Sequence, residues 1–499
     1  MVETEGTRIV DVVPVGGQPI PPDTREFGDD ALLIPGFHDA HLHLLLGGLR
    51  LTECNFTGVR TAEQFADVLS AYIRKQQPEP GMWIQGSGLD ETLIEVNRHD
   101  IDKVCKENPV FIWTHDLHSA VVNSAALALV QIDKDVIDPV GGKFERDTTG
   151  NITGVLRENA AFVLQRAIPP ITAEQAHNAL VQAQNYAFSL GITSVSSSVR
   201  SDYLPFYLAF SGSTDRKFGI NAWRVSEEFS IEQDRFEKIE SQNFRLATLK
   251  GFTDGALGSR SAAFWEPYAD APQNSGMPLV REGPLARWMR AAHNDGYQVA
   301  IHAIGDRANS ICLDAVEMAG SGGNGPQFRP RIEHVQHLRE RDIKRFAELN
   351  VIASMQPIHC RADMRFVEPR LGAERARFSY TWRSLLNAGA TLAFGSDWPI
   401  EELSPITGIH AAVTRLDENG NPPGGWQPQE CISAEEALKA YTSGGAFAAF
   451  WERERGTIEV GKQADLTVLS RDILRCSADK ISDTKVLMTV AGGKIVYQN

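Results

Sequence analysis

From about residue 190 onward the chain repeats one pattern, in which a short apolar or β-branched run is followed by a polar loop and a stretch with helical periodicity. This alternation predicts β–α units. Seven runs fit the strand half of the pattern, and an earlier run, ALLIPGFHDAHLH, adds an eighth. Eight parallel strands with intervening helices close most readily into an α/β fold of the (β/α)8 TIM-barrel type, whose active sites lie at the C-terminal ends of the strands. The candidate strands are 31–43, 191–198, 219–225, 245–252, 297–303, 331–335, 351–356 and 391–397.

Two parts of the chain depart from this pattern. Residues 52–185 lie between the first and second candidate strands and carry their own turns and helical segments, around 62–76 and 174–190. We interpret them as a large insertion that covers the barrel mouth. Residues 1–34 and 456–499 contain short strand-like runs with glycine turns, and they predict a small β domain built from both termini. Residues 35–455 then form the barrel with its insertion.

Charge and composition exclude several classes of partner. The formal charge is 49 − 64 = −15, without long runs of like charge, which argues against nucleic acid and anionic membranes as partners. The six cysteines are too scattered for a disulfide framework, and no export signal or stretch of about 18 apolar residues occurs. We therefore expect a cytoplasmic enzyme that acts on a small molecule.

The motif PGFHDAHLH ends the first candidate strand and places two histidines two positions apart. On a strand, this spacing directs the His41 and His43 imidazoles to the same face. Two neutral imidazoles on one face make half of a metal site. His38 faces the other way by strand alternation, and we assign it no role.

Other strands end in residues of compatible chemistry. Lys250, His302, His334 and Asp397 each stand at the C-terminal end of a candidate strand. Together with the histidine pair, the histidines and the aspartate form a nitrogen and oxygen donor set suited to zinc or a similar divalent ion. The ammonium of Lys250 would repel a cation, but carboxylation of its amine would create a carboxylate that bridges two metals. An ion pair with Asp254 is the alternative for this lysine, and the site would then hold one metal.

The combined motifs resemble those of the amidohydrolase superfamily, and specifically its amidohydrolase-3 branch of metal-dependent hydrolases. The resemblance covers nearly the whole chain, and the ordered combination is far more specific than any single motif. The motifs are PGFHDAHLH, WIQGSGLD, HDLHSAVVNSAAL, TGVLRE, LKGFTDGALGSRSA, IHAIGDRA, RIEHVQH, FGSDWPI and GTIEVGKQADLTVL.

The resemblance implies a role for each ligand candidate. His41 and His43 would bind the more buried metal with Asp397, while His302 and His334 would hold a second metal or orient the substrate. Lys250 stands where many members have a bridging carboxylated lysine. Asp397 would take a proton from the water that the metal activates and deliver it to the leaving group. The expected reaction is hydrolysis of an amide-type C–N bond in a small molecule, such as an N-acyl compound or a formamide. A homodimer is the assembly that the resemblance suggests.

Weaker candidates for substrate contact have alternative structural roles. The two arginines could clamp a substrate carboxylate or hold loops together, and the histidines of the insertion could contact substrate or order a helix start. The glutamate could supply a bridging carboxylate or a surface salt bridge, and the tryptophans could line a pocket or belong to the core. His359 follows SMQP on the seventh strand and is a weak candidate. The substrate candidates are Trp83, His115, His118, Glu158, Asp254, Arg260, Arg307 and Trp398.

Two other functions remain as alternatives. Hydrolytic deaminases that resemble this superfamily usually carry a HxxE pair on the strand-five side, and the segment HAIGDRA has no glutamate at that spacing after His302. A non-catalytic binding protein with this fold would be expected to have lost a ligand, whereas all six ligand positions carry competent side chains. Neither a GxSxG elbow nor a phosphate-binding GxxxxGK[ST] loop occurs.

Overall fold

The computed structural model describes residues 1–14, 24–91, 93–114, 119–215, 217–320 and 328–499. These residues form two compact units, one of Met1–Leu44 with Leu180–Asn499 and one of Leu45–Ala179. The strands are β1 (Val2–Glu5), β2 (Arg8–Val12), β3 (Leu32–Pro35), β4 (Phe37–Leu42), β5 (Cys54–Asn55), β6 (Ile84–Leu89), β7 (Val110–Thr114), β8 (Ser119–Val122), β9 (Gly142–Arg146), β10 (Ile152–Glu158), β11 (Ile192–Val199), β12 (Gly219–Val225), β13 (Ile239–Glu240), β14 (Phe244–Phe252), β15 (Gln298–Ala303), β16 (Arg331–His334), β17 (Ile352–Met355), β18 (Thr391–Phe394), β19 (Leu466–Leu469), β20 (Val486–Ala491) and β21 (Lys494–Gln498).

Helices alternate with the strands. The α-helices are α1 (Leu44–Thr52), α2 (Ala62–Gln76), α3 (Arg98–Asp102), α4 (Ser124–Leu129), α5 (Asn159–Gln165), α6 (Ala173–Ser189), α7 (Leu204–Ser211), α8 (Ile231–Asp234), α9 (Glu282–Asn294), α10 (Asp306–Ala319), α11 (Glu340–Glu348), α12 (Pro357–Leu371), α13 (Ala373–Ala376), α14 (Trp382–Asn387), α15 (Pro405–Thr414), α16 (Ala434–Lys439) and α17 (Gly445–Ala448). None of the helices in the described ranges combines the length and the apolar character that crossing a membrane requires.

Eight parallel strands form the barrel of the first unit, which confirms the predicted fold. Their order is β4-β11-β12-β14-β15-β16-β17-β18. The C-terminal end of β4 is hydrogen-bonded to the residues that follow β18. The Asp397 backbone N–H donates to the His41 carbonyl at 2.7 Å, and the His43 N–H donates to the Trp398 carbonyl at 2.8 Å. Three of the four residues in this seam of the barrel, His41, His43 and Asp397, are therefore ones that the sequence predicted as metal ligands.

The predicted first strand, 31–43, is wrong in one respect, because it contains two strands that belong to different sheets. β4 lies in the barrel, whereas β3 pairs antiparallel with β19. The chain changes sheets at Gly36, where a Cβ atom would lie 2.3 Å from the Thr193 side chain. Only a residue without a side chain allows this close approach.

Both ends of the chain contribute to the small sheet beside β3. β19, β20 and β21 are antiparallel neighbours in the sheet of β3. The hairpin of β1 and β2 is a separate two-stranded sheet, and its Ile9 N–H donates at 2.9 Å to the carbonyl of Lys462, which precedes β19. Ile9, Leu466 and Val490 belong to one buried apolar cluster here.

The second unit has its own six-stranded sheet, in the order β5-β6-β7-β8-β10-β9. Two buried apolar clusters, one around Phe65 and one around Phe111, form its core. The predicted helix at 62–76 is confirmed as α2, which begins after Thr61 because the Thr61 hydroxyl accepts the Gln64 N–H. That this unit covers the barrel mouth stays a prediction.

The seam depends on a glycine. A Cβ atom on Gly395 would lie 2.4 Å from the His41 nitrogen and 3.0 Å from the His41 oxygen, both in the backbone. We expect Gly395→Ala to force the edge strands apart and to destabilise the protein by about 1–3 kcal/mol or more. Thermal unfolding followed by circular dichroism measures the effect.

Gly212→Ala is the matched control for this substitution. Its Cβ atom would meet nothing closer than 3.9 Å, and its φ of −88° suits alanine. We expect no loss of stability there. Equal unfolding temperatures for the two variants would contradict this account of the seam.

Candidate active site

Asp397 is the centre of the candidate site at the C-terminal end of the barrel. Its Oδ1 atom lies 3.1 Å from His43 Nε2 and 3.6 Å from His41 Nε2. The ligand atoms of these three residues all lie within 4.8 Å of one another. The structure thus brings together the pair and the aspartate that the sequence predicted as one metal site.

The other oxygen of Asp397 faces a second group of histidines. Its Oδ2 atom lies 3.6 Å from His359 Nε2, and ligand atoms of His334, His359 and Asp397 also lie within 4.8 Å of one another. The His302 ring is next to this group, with its centroid 4.5 Å from that of His334. One carboxylate therefore stands between two groups of imidazoles.

Two of these side chains are directed by unusual backbone. His334 has a φ of 77° and Asp397 a φ of 60°, both in the left-handed region that residues other than glycine seldom adopt. Both positions follow or end a barrel strand, where the regular alternation of side chains stops. Such conformations cost about 1–3 kcal/mol each and are typical of functional sites.

A buried ion pair in the barrel interior holds His41. The His41 Nδ1 atom lies 2.7 Å from Glu333 Oε2, and Arg331 donates to both oxygens of that carboxylate. Burial alone would raise the pKa of Glu333, but the Arg331 guanidinium and the His41 contact outweigh it and hold the pKa well below its usual value. The carboxylate is therefore ionised and accepts a hydrogen from Nδ1, so the other nitrogen of His41 is directed towards Asp397.

Two further rings are also fixed by one hydrogen bond each. His334 Nδ1 lies 2.8 Å from Gln356 Oε1, and His302 Nε2 lies 3.1 Å from the Gly255 carbonyl oxygen. Contacts of this kind set the orientation and the tautomer of imidazoles in metal sites.

Burial keeps three histidines of the site, His41, His302 and His334, uncharged at neutral pH. Desolvation, followed by the nearby Lys250 charge, lowers the pKa of His41 to about 4 and that of His302 to about 3. The pKa of His334 is also well below its ordinary value, first because of burial. Burial would raise the pKa of Asp397, but the short contact with His43 and the neighbouring His41 outweigh it and keep it lowered. Neutral imidazoles and an ionised carboxylate are the forms that bind metals.

Lys250 is fully buried, and its Nζ atom has no hydrogen-bond partner among the described residues. Desolvation lowers the pKa of this ammonium group to about 8. The alternative of an ion pair with Asp254 is wrong, because the Asp254 carboxylate instead accepts the backbone N–H groups of Ala263, Ile304 and Gly305.

The donor atoms fit a divalent metal ion. A tetrahedral ion with bonds of about 2.0–2.1 Å holds its ligand atoms about 3.3 Å apart. The contacts of 3.1 Å and 3.6 Å around Asp397 Oδ1 agree with that spacing, yet this oxygen has no hydrogen-bond partner among the residues that the structure describes. Nitrogen and oxygen atoms that converge at this distance without a hydrogen bond between them indicate a cation site.

Several weaker candidates are engaged elsewhere. Arg260 donates to both oxygens of Asp270, and the Arg307 guanidinium lies over the Trp265 ring at 5.1 Å. These contacts favour the alternative in which the arginines hold loops. Asp254, with its three backbone bonds, also has a structural role.

The other weak candidates fall into three groups. Trp83 packs against the core of the second unit, and Glu158 is exposed at the start of α5 in that unit. Trp398 is buried next to the site, 5.9 Å from the Tyr186 ring. His115 and His118 lie outside the described residues. Substrate contact by any of them stays a prediction.

Sequence reasoning missed two side chains of the site and ranked a third too low. The missed residues are Arg331 and Glu333, both fully buried on β16. The segment RIEH could have revealed them, because two charged side chains in a predicted barrel strand must be paired with each other or with a functional group. His359 was ranked as weak by alternation, but it lies in the first turn of α12, where strand alternation does not apply.

Comparison with known proteins gives concordant results. The model of a family described as the Amidohydrolase family matches residues 29–497. The protein LONG AFTER FAR-RED 3 of Arabidopsis thaliana is 34% identical, over 93% of this chain and 82% of that protein. An N-substituted formamide deformylase of Arthrobacter pascens is 28% identical, over 93% of this chain and 88% of that enzyme. The crystal structure of an uncharacterised metal-dependent hydrolase from Pyrococcus furiosus superposes with a TM-score of 0.74 at 31% identity, covering 89% of this chain and 88% of that one.

The Glu333 contact predicts a measurable effect on metal binding. Glu333→Gln removes the charge that fixes the His41 Nδ1 hydrogen, so we expect the affinity for zinc to fall about 10–100-fold. Competition with a chelator of known affinity measures it. Glu430→Gln is the control, because Glu430 is also buried but bonds to Ser384 away from the site. Unchanged zinc affinity in Glu333→Gln would contradict the positioning of His41 by Glu333.

Proposed function

This chain belongs to the amidohydrolase family of metal-dependent hydrolases, and from that premise we propose that it hydrolyses an amide-type C–N bond of a small molecule. We further propose N-substituted formamides as the first class of substrate to test. The relative from Arthrobacter pascens is named for the removal of formyl groups from such compounds, and it aligns along nearly the whole chain.

The observation that carries the proposal is the placement of Asp397 between two groups of imidazoles. One oxygen faces His41 and His43, and the other faces His359. A carboxylate with one oxygen at a cation site and the other directed away from it is suited to move a proton during hydrolysis.

The metal would be held by residues of both groups. His41, His43 and Asp397 would bind the first ion, and His302 and His334 would bind a second if Lys250 is carboxylated. When bound, such an ion acts as a Lewis acid that polarises a carbonyl group and acidifies water.

Asp397 would perform both proton transfers. Its carboxylate accepts a proton as the oxygen of a water molecule forms a bond to the substrate carbonyl carbon. The same proton then passes to the leaving nitrogen as the C–N bond breaks. The products are an amine and a carboxylic acid, which is formic acid for a formamide.

Lys250 fits carboxylation because of its surroundings. Its amine is fully buried and has no hydrogen-bond partner in the described part of the chain. A buried amine loses a proton more readily than an exposed one, and the neutral amine is the form that adds to carbon dioxide. The reaction forms an N–C bond, releases a proton and leaves a carbamate anion at this place.

Hydrolysis of an N-alkylformamide such as N-cyclohexylformamide tests the proposed function. We expect formate release by the zinc-loaded protein, and Asp397→Asn should lower kcat by about 10²–10⁴-fold because the amide cannot transfer the proton. Asp234→Asn is a matched control, since Asp234 is buried and bonded to Ser226 and Trp288. Native activity in Asp397→Asn would refute its role, and absence of turnover of N-formyl and N-acetyl amines by wild type would refute the amide proposal.

Carboxylation of Lys250 predicts how many ions bind. We expect about two zinc ions per chain when the metal-free protein is reconstituted with zinc and bicarbonate, and about one in Lys250→Met, which cannot form the carbamate. Plasma mass spectrometry after dialysis gives the ratio. One ion in both proteins would mean that Lys250 does not bridge two metals, and the chain would then be a hydrolase with a single metal ion.

A further inference from the structure

The partners of the site imidazoles determine which of their nitrogens carries the hydrogen. His302 Nε2 faces the Gly255 carbonyl oxygen, and His41 Nδ1 faces the ionised Glu333. Both partners can only accept, so these nitrogens carry the hydrogen and the other nitrogen of each neutral ring has a free lone pair.

His334 follows the same rule. Its Nδ1 atom donates to Gln356 Oε1 at 2.8 Å, which leaves a lone pair on Nε2. These three neutral rings can bind a metal through the free nitrogen, but that nitrogen has no hydrogen to donate to a substrate. None of the three can therefore stabilise a developing negative charge by a hydrogen bond from that atom.

His359 has the opposite arrangement. The Gln336 side-chain amide nitrogen donates to His359 Nδ1 at 3.2 Å, so Nδ1 supplies the lone pair and Nε2 carries the hydrogen. A doubly protonated ring could not accept this bond. The Nε2 atom is buried without a hydrogen-bond partner and lies 3.6 Å from Asp397 Oδ2. An N–H group at the centre of the site thus has no acceptor within the described residues.

We infer that His359 binds the substrate as a hydrogen-bond donor, with Nε2–H directed at the carbonyl oxygen, and is not a metal ligand. This inference rests on the proposed amide hydrolysis. As water adds to the carbonyl carbon, negative charge develops on that oxygen, and a positioned N–H group stabilises it. His359 also lies in the first turn of the 15-residue helix α12, where the helix dipole favours negative charge.

The position of His359 separates it further from the other rings. It follows β17 at the C-terminal end of the barrel, next to the oxygen of Asp397 that does not face the histidine pair. A substrate oxygen held there would place the scissile C–N bond beside the carboxylate that moves the proton. Gln336 is the positioning residue, because its amide sets the tautomer of His359.

Metal analysis is the first part of the test and needs no substrate. His359→Gln and His359→Met should keep the wild-type ratio of zinc to protein after dialysis, whereas His334→Gln should lower it. Loss of zinc in both His359 variants would overturn the inference, because it would make His359 a ligand.

Nitrogen spectroscopy is the second part. NMR spectra of protein with ¹⁵N-labelled histidine identify the His359 signals as those that are missing in His359→Gln. In the wild-type protein, these signals should show the hydrogen on Nε2, and their chemical shifts should change little when zinc is removed. An Nε2 atom that carries no hydrogen and whose chemical shift changes when zinc is removed would overturn the inference.

Kinetics with N-cyclohexylformamide are the third part. His359→Met removes the donor, and we expect kcat to fall about 10²–10³-fold with a smaller change in KM. His359→Gln places an amide N–H near the original Nε2 position and should recover part of kcat. Equal kcat values for His359→Met and the wild-type protein would overturn the inference.

The parts distinguish the two proposals. If wild type hydrolyses neither N-formyl nor N-acetyl amines but the metal and tautomer results are as expected, the amide proposal fails, while the assignment of His359 as an N–H donor that binds no metal stands. If the formamide is hydrolysed and His359→Met loses zinc, the amide proposal stands and the donor assignment fails.

Discussion

The pairing of Arg331 with Glu333 inside the barrel is the interaction on which the site depends. Both residues are fully buried, and two charges in an apolar interior are tolerated only when they are paired and hydrogen-bonded. Arg331 also donates to the Ala40 carbonyl and the Ser354 hydroxyl, both at 2.7 Å, and lies over the Trp223 ring. The pair therefore links β16 to β4 and β17, and it positions His41 at the same time. Apolar residues in place of this pair would avoid the cost of burying two charges, but they would not fix the orientation of the His41 ring.

The same hydrogen bonds close the barrel and bring the residues of the site together. The hydrogen bonds that join the edge strands involve the backbones of His41, His43 and Asp397, whose side chains form the candidate cation site. The separation between the two strands consequently fixes the distance between the donor atoms. Gly395 allows the strands to approach this closely. A folded barrel with this seam has a preorganised donor set, and none of the donors has to be brought in by a separate movement of the chain.

The sequence was sufficient to predict the barrel and the group of residues that meets at the C-terminal ends of its strands. Parallel strands of a barrel place these ends at one edge, whichever loops connect them. It was insufficient where side chains depend on partners distant in sequence. Arg260 could not be assigned without its contact to Asp270, and Glu333 could not be assigned without the His41 ring. The sequence did not reveal that the predicted strand 31–43 is divided into β3 and β4 at Gly36, because the pattern of apolar residues is the same on both sides of a change of sheet. His359 was underrated because it belongs to a helix start, for which the two-residue repeat of a strand gives no direction.

The left-handed backbone at His334, Val335 and Asp397 has an evolutionary consequence. Each of these residues holds a conformation that glycine or asparagine adopts at lower energy, and valine is especially unsuited to it. Selection for stability alone would therefore favour replacing them. A descendant that kept the fold but no longer needed the reaction would gain stability through glycine or asparagine at these three positions. The stability lost at these positions is thus the cost of directing the side chains of His334 and Asp397 into the candidate site.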